Sequence, residues 1–318
     1  MSTLVFLEHA DGVIQKGSLG VLSKAASMDS ETAGVLIGAG VGDLAADAAK
    51  YGAAKVFVAD DPALESPLPQ PRVDVISSLV GEQGFDNVLF GASVLASDIA
   101  GGVSARLGAG LNWDLGDIDM SGDVVGQRNA LGDTVQIDVG WTSTPRLALF
   151  RSGSFEATEQ PGAGAVENVG ASLEDFSSKA TLVGQDKEES EGPSIEEADI
   201  LVTGGRGLGD PSGFGILEEL ASALGGAVAS TRAVVDSDWY PYATQIGQTG
   251  KTVAPKLYIG AGVSGAIQHK VGMQSSQTIV AINKDPNAPI FDFSDVGIVG
   301  DLHEIVPKLT ELVKARKG

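Results

Sequence analysis

The first half of the chain repeats one pattern, a short apolar run followed by a stretch with the apolar spacing of a helix. The apolar runs are "TLVFLEH", "GVLIGAG", "AKVFVADD" and "DNVLFGAS". The helical stretches after them are "SLGVLSKAASM", "VGDLAADAAKYG", "RVDVISSLVGEQG" and "ASDIAGGVSARLGAG". Four strand–helix units in series predict a parallel sheet with helices on both faces. This part of the chain is therefore expected to have an α/β fold.

The pattern changes after Asn112, where "DVVGQRNALGDTVQIDVGWTSTPRLALFRSG" alternates strand-like segments with turn residues. We expect antiparallel hairpins that extend the parallel sheet. The glycines at "GAGVG" and "FGAS" lack the spaced third glycine and the acidic partner of a dinucleotide-binding fingerprint. The first domain is thus predicted to have a nucleotide-binding fold without a recognisable nucleotide site.

A second α/β series follows an acidic stretch, "GQDKEESEGPSIEEAD", which is the best linker candidate because it is charged and contains Gly-Pro. The new series has the strands "DILVTGG", "KLYIGAG", "QTIVAINKD" and "APIFDFSDVGIVG", and the helices "FGILEELASALGG" and "SGAIQHKVG". A last helix, from Asp301, has an apolar stripe made of Leu302, Ile305, Val306, Leu309, Leu312 and Val313. We therefore predict two doubly wound, mostly parallel-sheet (Rossmann-like) domains, residues 1–190 and 191–318.

Charge and composition exclude several classes of function. The net charge of −21 lies mostly in the first 196 residues and argues against nucleic acid as a partner, because phosphate contacts need a basic surface. The absence of cysteine excludes disulfides and cysteine-ligated metals. Glu8 interrupts the N-terminal apolar run too soon for a signal peptide, and no apolar run reaches the ~20 residues that span a bilayer. We expect a cytoplasmic protein without a metal, not embedded in the membrane.

Two glycine loops in the second part raise the question of phosphate binding. In "QIGQTGKT", Gln245 stands where a phosphate loop needs its first glycine, and Pro255 interrupts the helix that would have to follow. In "TGGRGLGDPSG" the context of strand, loop and helix is better, but Asp210 occupies the place of a third glycine. There, backbone N–H groups and Arg206 can approach an anion. A plain tight turn with a surface arginine is the alternative.

Hydrogen-bonding side chains cluster near the predicted strand ends of the second part, where a doubly wound sheet presents its ligand site. They are Thr231, Arg232, Gln245, Gln248, Thr249, Ser264, His269, Asn283 and Asp301. No nucleophile–base–orienter triad and no pair of catalytic carboxylates is recognisable among them. The set is suited to holding a polar cofactor rather than to cleaving a bond.

The same segments resemble a known family. "GGRGL", "TRAVVDSDWYPYATQIGQTGKTVAPKLYIGAGVSGAIQH", "VAINKDPNAPIF" and "DVGIVGDL" are similar to the alpha subunit of electron transfer flavoproteins, with looser support from "LVFLEH" and "FRSGSFEA". The resemblance implies a heterodimer with a beta subunit, FAD held mainly by the C-terminal domain, and an electron carrier rather than an enzyme. It also implies electron donors such as acyl-CoA dehydrogenases of fatty acid beta-oxidation, and a membrane quinone oxidoreductase as acceptor.

The resemblance also implies the residues that contact FAD. They are Arg206, Thr231, Arg232, Gln245, Ile246, Gly247, Gln248, Thr249, Ser264, Gly265, Ala266, Ile267, Gln268, His269, Asn283, Asp301 and Leu302. Thr249 is expected near the redox-active edge of the flavin, and Lys251 is not expected to bind phosphate.

A one-electron-reduced, anionic flavin carries extra negative charge toward N1 and the C2 carbonyl, so a donor or a cation there stabilises it. We assign the donor role to His269 and the positive charge to Arg232, which stays charged at any working pH. For His269 the alternative is a structural histidine. For Asp301 it is a cap of the last helix, since "DLHE" has the form of a capping box.

Two other classes of function remain open from the residues. The glycine loop suggests a dehydrogenase that uses a nicotinamide directly, although the fingerprint spacing is wrong. A non-catalytic nucleotide-binding module is the second alternative. Which dehydrogenases donate electrons, and whether the complex bifurcates them, is not encoded in any motif that we recognise.

Overall fold

The structure is a computed structural model that describes residues 1–131, 135–184 and 194–317. The chain forms two compact units, Met1–Asp186 and Lys187–Gly318. The predicted boundary between residues 190 and 191, and most of the predicted acidic linker, lie outside the described residues.

The first unit contains eleven strands and four helices among its described residues. The strands are β1 (Thr3–Phe6), β2 (His9–Ala10), β3 (Val13–Ile14), β4 (Ala33–Gly38), β5 (Lys55–Asp60), β6 (Asn87–Gly91), β7 (Leu111–Asp119), β8 (Val125–Ala130), β9 (Val135–Val139), β10 (Arg146–Phe150) and β11 (Ala165–Asn168). The helices are α1 (Lys16–Met28), α2 (Ala45–Lys50), α3 (Pro69–Gln83) and α4 (Val94–Leu107). The four predicted strand–helix units are confirmed.

Nine of these strands form one sheet in the order β11-β5-β4-β1-β6-β10-β7-β8-β9. It is parallel from β11 to β7, and β7, β8 and β9 are joined antiparallel, which confirms the predicted hairpin extension. The expectation is wrong for "RLALF", which forms β10 and lies parallel between β6 and β7. Its run of apolar residues is buried almost throughout, as in a strand covered on both faces.

Alternate residues of the parallel strands feed two cores, one on each face of this sheet. Leu4, Val35 and Val88 pack in the core that contains residues of α3 and α4. Val5 and Leu36 pack in the core that contains residues of α1 and α2. The first unit is therefore a three-layer α/β domain, as predicted.

The second unit has a six-stranded sheet, and every neighbouring pair is parallel. Its strands are β12 (Ile200–Gly204), β13 (Ala227–Thr231), β14 (Gln245–Ile246), β15 (Leu257–Ala261), β16 (Ile279–Asn283) and β17 (Val296–Val299), in the order β14-β13-β12-β15-β16-β17. Its helices are α5 (Phe214–Leu224), α6 (Arg232–Val235), α7 (Ile267–Lys270) and α8 (Leu302–Lys317). This sheet is doubly wound, because the chain steps outward from β12 in both directions.

Helices α5 and α8 cover one face of the second sheet, where Leu217, Val306 and the strand residue Val202 share a core. The opposite face packs around Tyr258 and Ile290. The predicted apolar stripe of α8 is buried or half-buried except at its end, where Leu312 is 64% exposed. Among the described residues, no helix is long and apolar enough to cross a bilayer.

Candidate functional site

A cavity of about 820 Å³ opens at the carboxyl ends of the strands of the second unit. Its wall comes from the segments that follow all six strands, β12 to β17. The volume lies within the roughly 300–1,000 Å³ of pockets that bury a cofactor or a drug-sized ligand. Ligands of doubly wound sheets bind at this edge, so the cavity is the candidate functional site.

Most of the residues predicted to contact a cofactor line this cavity. They are Arg206, Thr231, Arg232, Ile246, Gly247, Gln248, Thr249, Ser264, Ala266, Gln268, His269, Asn283, Asp301 and Leu302. Three others are not part of the wall. Gln245 is buried and its Nε2 donates to Thr249 Oγ1 over 3.2 Å. Gly265 has a left-handed φ of 83° and packs against the backbone of Ile290, while Ile267 is 75% exposed.

Further residues complete the wall, and apart from the glycines of the loop after β12 the sequence alone did not single them out. They are Gly205, Gly207, Leu208, Gly209, Ala233, Asp236, Gly262, Val263, Lys284, Gly300 and His303. All of them lie in the same segments at the strand ends, loops or helix starts, as the predicted residues. Membership of those segments was therefore the signal that could have identified them.

The glycine loop after β12 is in backbone contact with the loop after β15. The N–H of Gly205 donates to the carbonyl of Ala261, and the N–H of Gly207 to that of Gly262, each over 3.0 Å. A Cβ at Gly207 would stand 2.7 Å from the Cα of Gly262, so this approach requires glycine. The sequence predicts that such N–H groups can face an anion, but these two are occupied within the protein. Arg206 is the cationic group that the loop offers to a ligand.

The loop "QIGQTGK" forms a tight turn against the start of α7. Gly247 has a φ of 138°, and a Cβ there would stand 2.8 Å from the carbonyl oxygen of Gln268. The N–H of Gln248 donates to the same oxygen over 2.8 Å. Lys251 is not among the wall residues, and its Nζ forms a 3.0 Å ion pair with Glu196. Its charge is therefore compensated by a carboxylate instead of being directed at a phosphate.

His269 is a buried residue of the wall, and both of its ring nitrogens have partners. Nδ1 lies 3.2 Å from the carbonyl oxygen of Ile246, and Nε2 lies 2.7 Å from the hydroxyl oxygen of Tyr258. Because a carbonyl oxygen only accepts, Nδ1 carries the proton and Nε2 accepts from Tyr258. Burial lowers the pKa of His269 to about 4, although the Ile246 carbonyl acts to raise it. The imidazole is therefore neutral at pH 7.

Tyr258 is the partner that the sequence analysis missed. It is the second residue of β15 and is completely buried. Burial raises the pKa of its phenol well above the usual value of 10, so the hydroxyl keeps its proton and acts as a donor. A tyrosine inside an apolar strand needs a buried hydrogen-bond partner, and this requirement was the available signal.

Arg232 lies on the wall but remains 65% exposed. Its Nε donates to the carboxylate of Asp236, one helical turn later, over 3.3 Å. Thr231, which precedes it, takes the N-cap position of α6 without using its hydroxyl for a cap. The positive charge of Arg232 at the cavity is thus partly offset by Asp236. The hydroxyl of Thr231 does not cap the helix and can bind a ligand.

Asp301 and Asn283 line the cavity but use polar atoms within the protein. Asp301 Oδ1 accepts from the N–H of His303 over 2.8 Å, so its predicted role as a cap of α8 is confirmed. Asn283 Nδ2 donates to the carbonyl of Val263 over 2.8 Å, and its Oδ1 accepts from the N–H of Asp285 over 3.0 Å. Both side chains therefore fix the shape of the loops that form the wall.

The charges of the wall favour an anionic ligand. Three permanent cations, Arg206, Arg232 and Lys284, face two carboxylates, Asp236 and Asp301. This local excess of positive charge contrasts with the net charge of −21 of the whole chain. Arginine and lysine both bind phosphate oxygens through charge-assisted hydrogen bonds. A phosphate-containing cofactor of suitable size therefore fits the cavity.

In the first unit, a side chain of the protein takes up the glycine N–H groups at the carboxyl end of β4. The carboxylate of Asp60 accepts from Gly40 N over 2.7 Å and from Gly42 N over 3.3 Å. Backbone N–H groups of this kind bind anions in nucleotide-binding folds. Here these N–H groups bind the carboxylate of Asp60, which is part of the protein itself. Among the described residues of both units, no group of three or more His, Asp or Glu side chains is arranged to hold a metal.

Comparison with known proteins extends these observations. Residues 3–174 match the family model of the electron transfer flavoprotein domain, and residues 194–274 match that of the electron transfer flavoprotein FAD-binding domain. The electron transfer flavoprotein subunit alpha of Mycobacterium leprae (strain TN) is 40% identical over 319 residues, which cover 99% of each chain. The protein of the same name from Bacillus subtilis (strain 168) is 39% identical over 316 residues, 98% of this chain and 97% of the relative.

Proposed function

The chain belongs to the family of electron transfer flavoprotein alpha subunits, and from this premise we propose that the cavity of the second unit holds the FAD of a one-electron carrier. Membership of this family identifies FAD as the cofactor and the chain as an electron carrier rather than an enzyme. The observation that carries the proposal is the convergence of six strand-end loops, with a local excess of cations, on one cavity of cofactor size.

We propose the following place in electron transfer. In a heterodimer with a beta subunit, FAD accepts electrons from flavin dehydrogenases such as acyl-CoA dehydrogenases. The bound FAD would supply one-electron chemistry between these donors and a membrane quinone oxidoreductase, and the residues of the wall would stabilise its one-electron-reduced, anionic form. The proposed site of action is the cytoplasm. Support comes from the family membership.

Different wall residues are proposed to bind different parts of the cofactor. Arg206 and Lys284 offer charge to the pyrophosphate, and the hydroxyls of Thr231 and Ser264 offer hydrogen bonds to polar groups. Gln245, Gly265 and Ile267 remain proposed FAD contacts, although they are not part of the wall described here. Bound FAD supplies the redox chemistry, and the protein supplies orientation and electrostatics.

Near the isoalloxazine, three residues are proposed to set the electrostatics. Arg232 contributes a permanent cation that Asp236 partly offsets. Thr249, whose Oγ1 is fixed by Gln245, is proposed to lie at the redox-active edge. His269 is proposed as the donor to the flavin. Its single N–H is on Nδ1, because Nε2 accepts from Tyr258, and in this structure that N–H is directed at the Ile246 carbonyl.

An absorbance titration of the chain, co-expressed with its beta subunit, tests the proposal. We expect a yellow complex whose spectrum, during stepwise dithionite reduction, passes through a red one-electron state. Arg206→Ala should weaken FAD binding, whereas Lys251→Ala should not, because Lys251 is paired with Glu196 instead of lining the cavity. A well-folded heterodimer that carries no flavin would contradict the proposal, and a colourless complex that binds NAD would favour a nicotinamide dehydrogenase.

A further inference from the structure

His269 of the cavity wall is hydrogen-bonded to a side chain inside the core of the second unit. Tyr258, its partner on β15, is wholly buried and is not part of the wall. Behind Tyr258 lies Thr203 on β12, also wholly buried, whose Oγ1 has no partner of full hydrogen-bond geometry among the described residues. The proximity of the Thr203 hydroxyl acts to lower the pKa of the Tyr258 phenol, against the larger effect of burial, which raises it. The buried hydroxyl of Tyr258 thus contacts His269, and a second buried hydroxyl, that of Thr203, lies near Tyr258.

The two hydrogen bonds of His269 run in the same direction. The Ile246 carbonyl can only accept, so the proton between it and His269 belongs to Nδ1. Nε2 then accepts the hydroxyl proton of Tyr258. The reverse order would bring the lone pair of Nδ1 against the lone pairs of the carbonyl oxygen. Hydrogen bonds aligned in one direction polarise and strengthen one another in a buried site.

We propose that Tyr258 is a positioning residue for His269: its hydroxyl donates to Nε2, which keeps the single ring proton on Nδ1, in the hydrogen bond to the Ile246 carbonyl, and draws electron density from the imidazole at the cavity wall. The inference rests on the proposed function, because the group that would respond to the polarised imidazole is the bound FAD. Tyr258 acts through His269 and is not itself a wall residue.

The tautomer is testable in the wild-type complex without any substitution that risks the fold. The chain contains three histidines, so ¹⁵N NMR of histidine-labelled protein gives few ring signals, and His269→Asn identifies those of His269. We expect a protonated Nδ1 and an unprotonated, hydrogen-bonded Nε2 at pH 7. A protonated Nε2, or a doubly protonated ring, would overturn the inference.

The effect on the cofactor is tested with Tyr258→Phe, which removes one hydroxyl and keeps the ring. Loss of the donor to Nε2 leaves the imidazole more electron-rich, which disfavours negative charge on the nearby flavin and should lower the flavin potential. The corresponding change in the one-electron equilibrium constant is about two- to tenfold, the worth of one buried hydrogen bond. The matched control is Tyr240→Phe, because Tyr240 stacks on Phe214, bonds to Glu218 and is not a wall residue. An unchanged flavin potential in a Tyr258→Phe complex that holds FAD would contradict the inference.

A double-mutant cycle separates positioning from general packing. Asparagine at position 269 keeps an amide nitrogen where Nδ1 stands but has no counterpart of Nε2, so Tyr258 loses the atom through which it acts. Tyr258→Phe should therefore shift the potential in the wild-type background and leave it unchanged in the His269→Asn background. Equal shifts in both backgrounds would mean that Tyr258 acts through packing.

The two hypotheses fail in different ways. A wild-type heterodimer without flavin would remove the proposed function while the NMR tautomer could still be measured. A yellow, redox-active heterodimer whose His269 carries its proton on Nε2 would leave the proposed function intact and remove only the role of Tyr258.

Discussion

Arg232 and Asp236 carry opposite charges at the cavity wall, so their substitutions should move the flavin potential in opposite directions. Arg232→Ala removes positive charge and should lower the potential, with less one-electron-reduced flavin accumulating. Asp236→Asn leaves Arg232 uncompensated and should raise it. Both side chains are more than half exposed, so each effect should be about 0.2–1 kcal/mol. Potentiometric titration measures the shifts, and Asp238→Asn is the control because Asp238 is exposed and is not a wall residue. Shifts of equal sign in the two variants would contradict the assignment.

His269 should make the second unit sensitive to mild acid. Its pKa falls from the ordinary 6.5 to about 4 in the folded protein, so the unfolded chain binds the proton more readily. The stabilisation is present above pH 6.5 and is lost as the pH falls toward 4, by about 3 kcal/mol in full. Urea unfolding, followed by ¹⁹F NMR at Trp239, should show that His269→Asn loses less stability than the wild type between pH 7 and 4.5. The control is His303→Asn on the exposed start of α8, and parallel losses in the wild type and His269→Asn would refute the prediction.

The contact between the loops after β12 and β15 should be essential for the shape of the cavity. Gly262 has a φ of 66°, and a Cβ there would stand 2.8 Å from the Cα of Gly207. Gly262→Ala should therefore push the loops apart and raise the Kd of FAD about tenfold or more, because a strained close contact costs about 1–3 kcal/mol. The matched control is Gly225→Ala, which has a φ of 79° at the end of α5 but meets no atom within 4 Å. Equal affinities of the two variants, measured by flavin fluorescence, would show that only backbone strain matters.

The elements that the sequence predicted well are those with a strong local period. The four early strand–helix units and α8 follow from the spacing of apolar residues alone. The place of β10 between β6 and β7 does not, because it depends on which strands pair across a long loop. Its buried run "RLALF" indicates a central strand but not its neighbours. Strands β11 and β13 were not predicted, because their sequences "AVEN" and "AVAST" consist mostly of small and polar residues and lack a clear apolar run.

Many residues of the site could be predicted, because the carboxyl ends of the strands of a doubly wound sheet lie together at the ligand-binding edge. This rule and the family resemblance brought Arg206, Thr231 and His269 to one cavity wall. What the sequence could not give are contacts between distant segments. The pairing of His269 with Tyr258 and the occupied N–H groups of Gly205 depend on tertiary packing. Such contacts decide which nitrogen carries a proton and which donors remain for a ligand.

The two units should respond differently to loss of the cofactor. Each has its own cores, and the glycine N–H groups of Gly40 and Gly42 in the first unit are already bound by Asp60. A ligand stabilises only the folded part that binds it, by about 4 kcal/mol when it is present at a thousand times its Kd. Hydrogen-exchange mass spectrometry of the heterodimer, with and without FAD, should show protection lost in β12 and β15 and unchanged in β1 and β4. Asp60→Ala should free the glycine N–H groups without changing FAD content. Equal loss of protection in both units would mean that the first unit depends on the cofactor despite having separate cores.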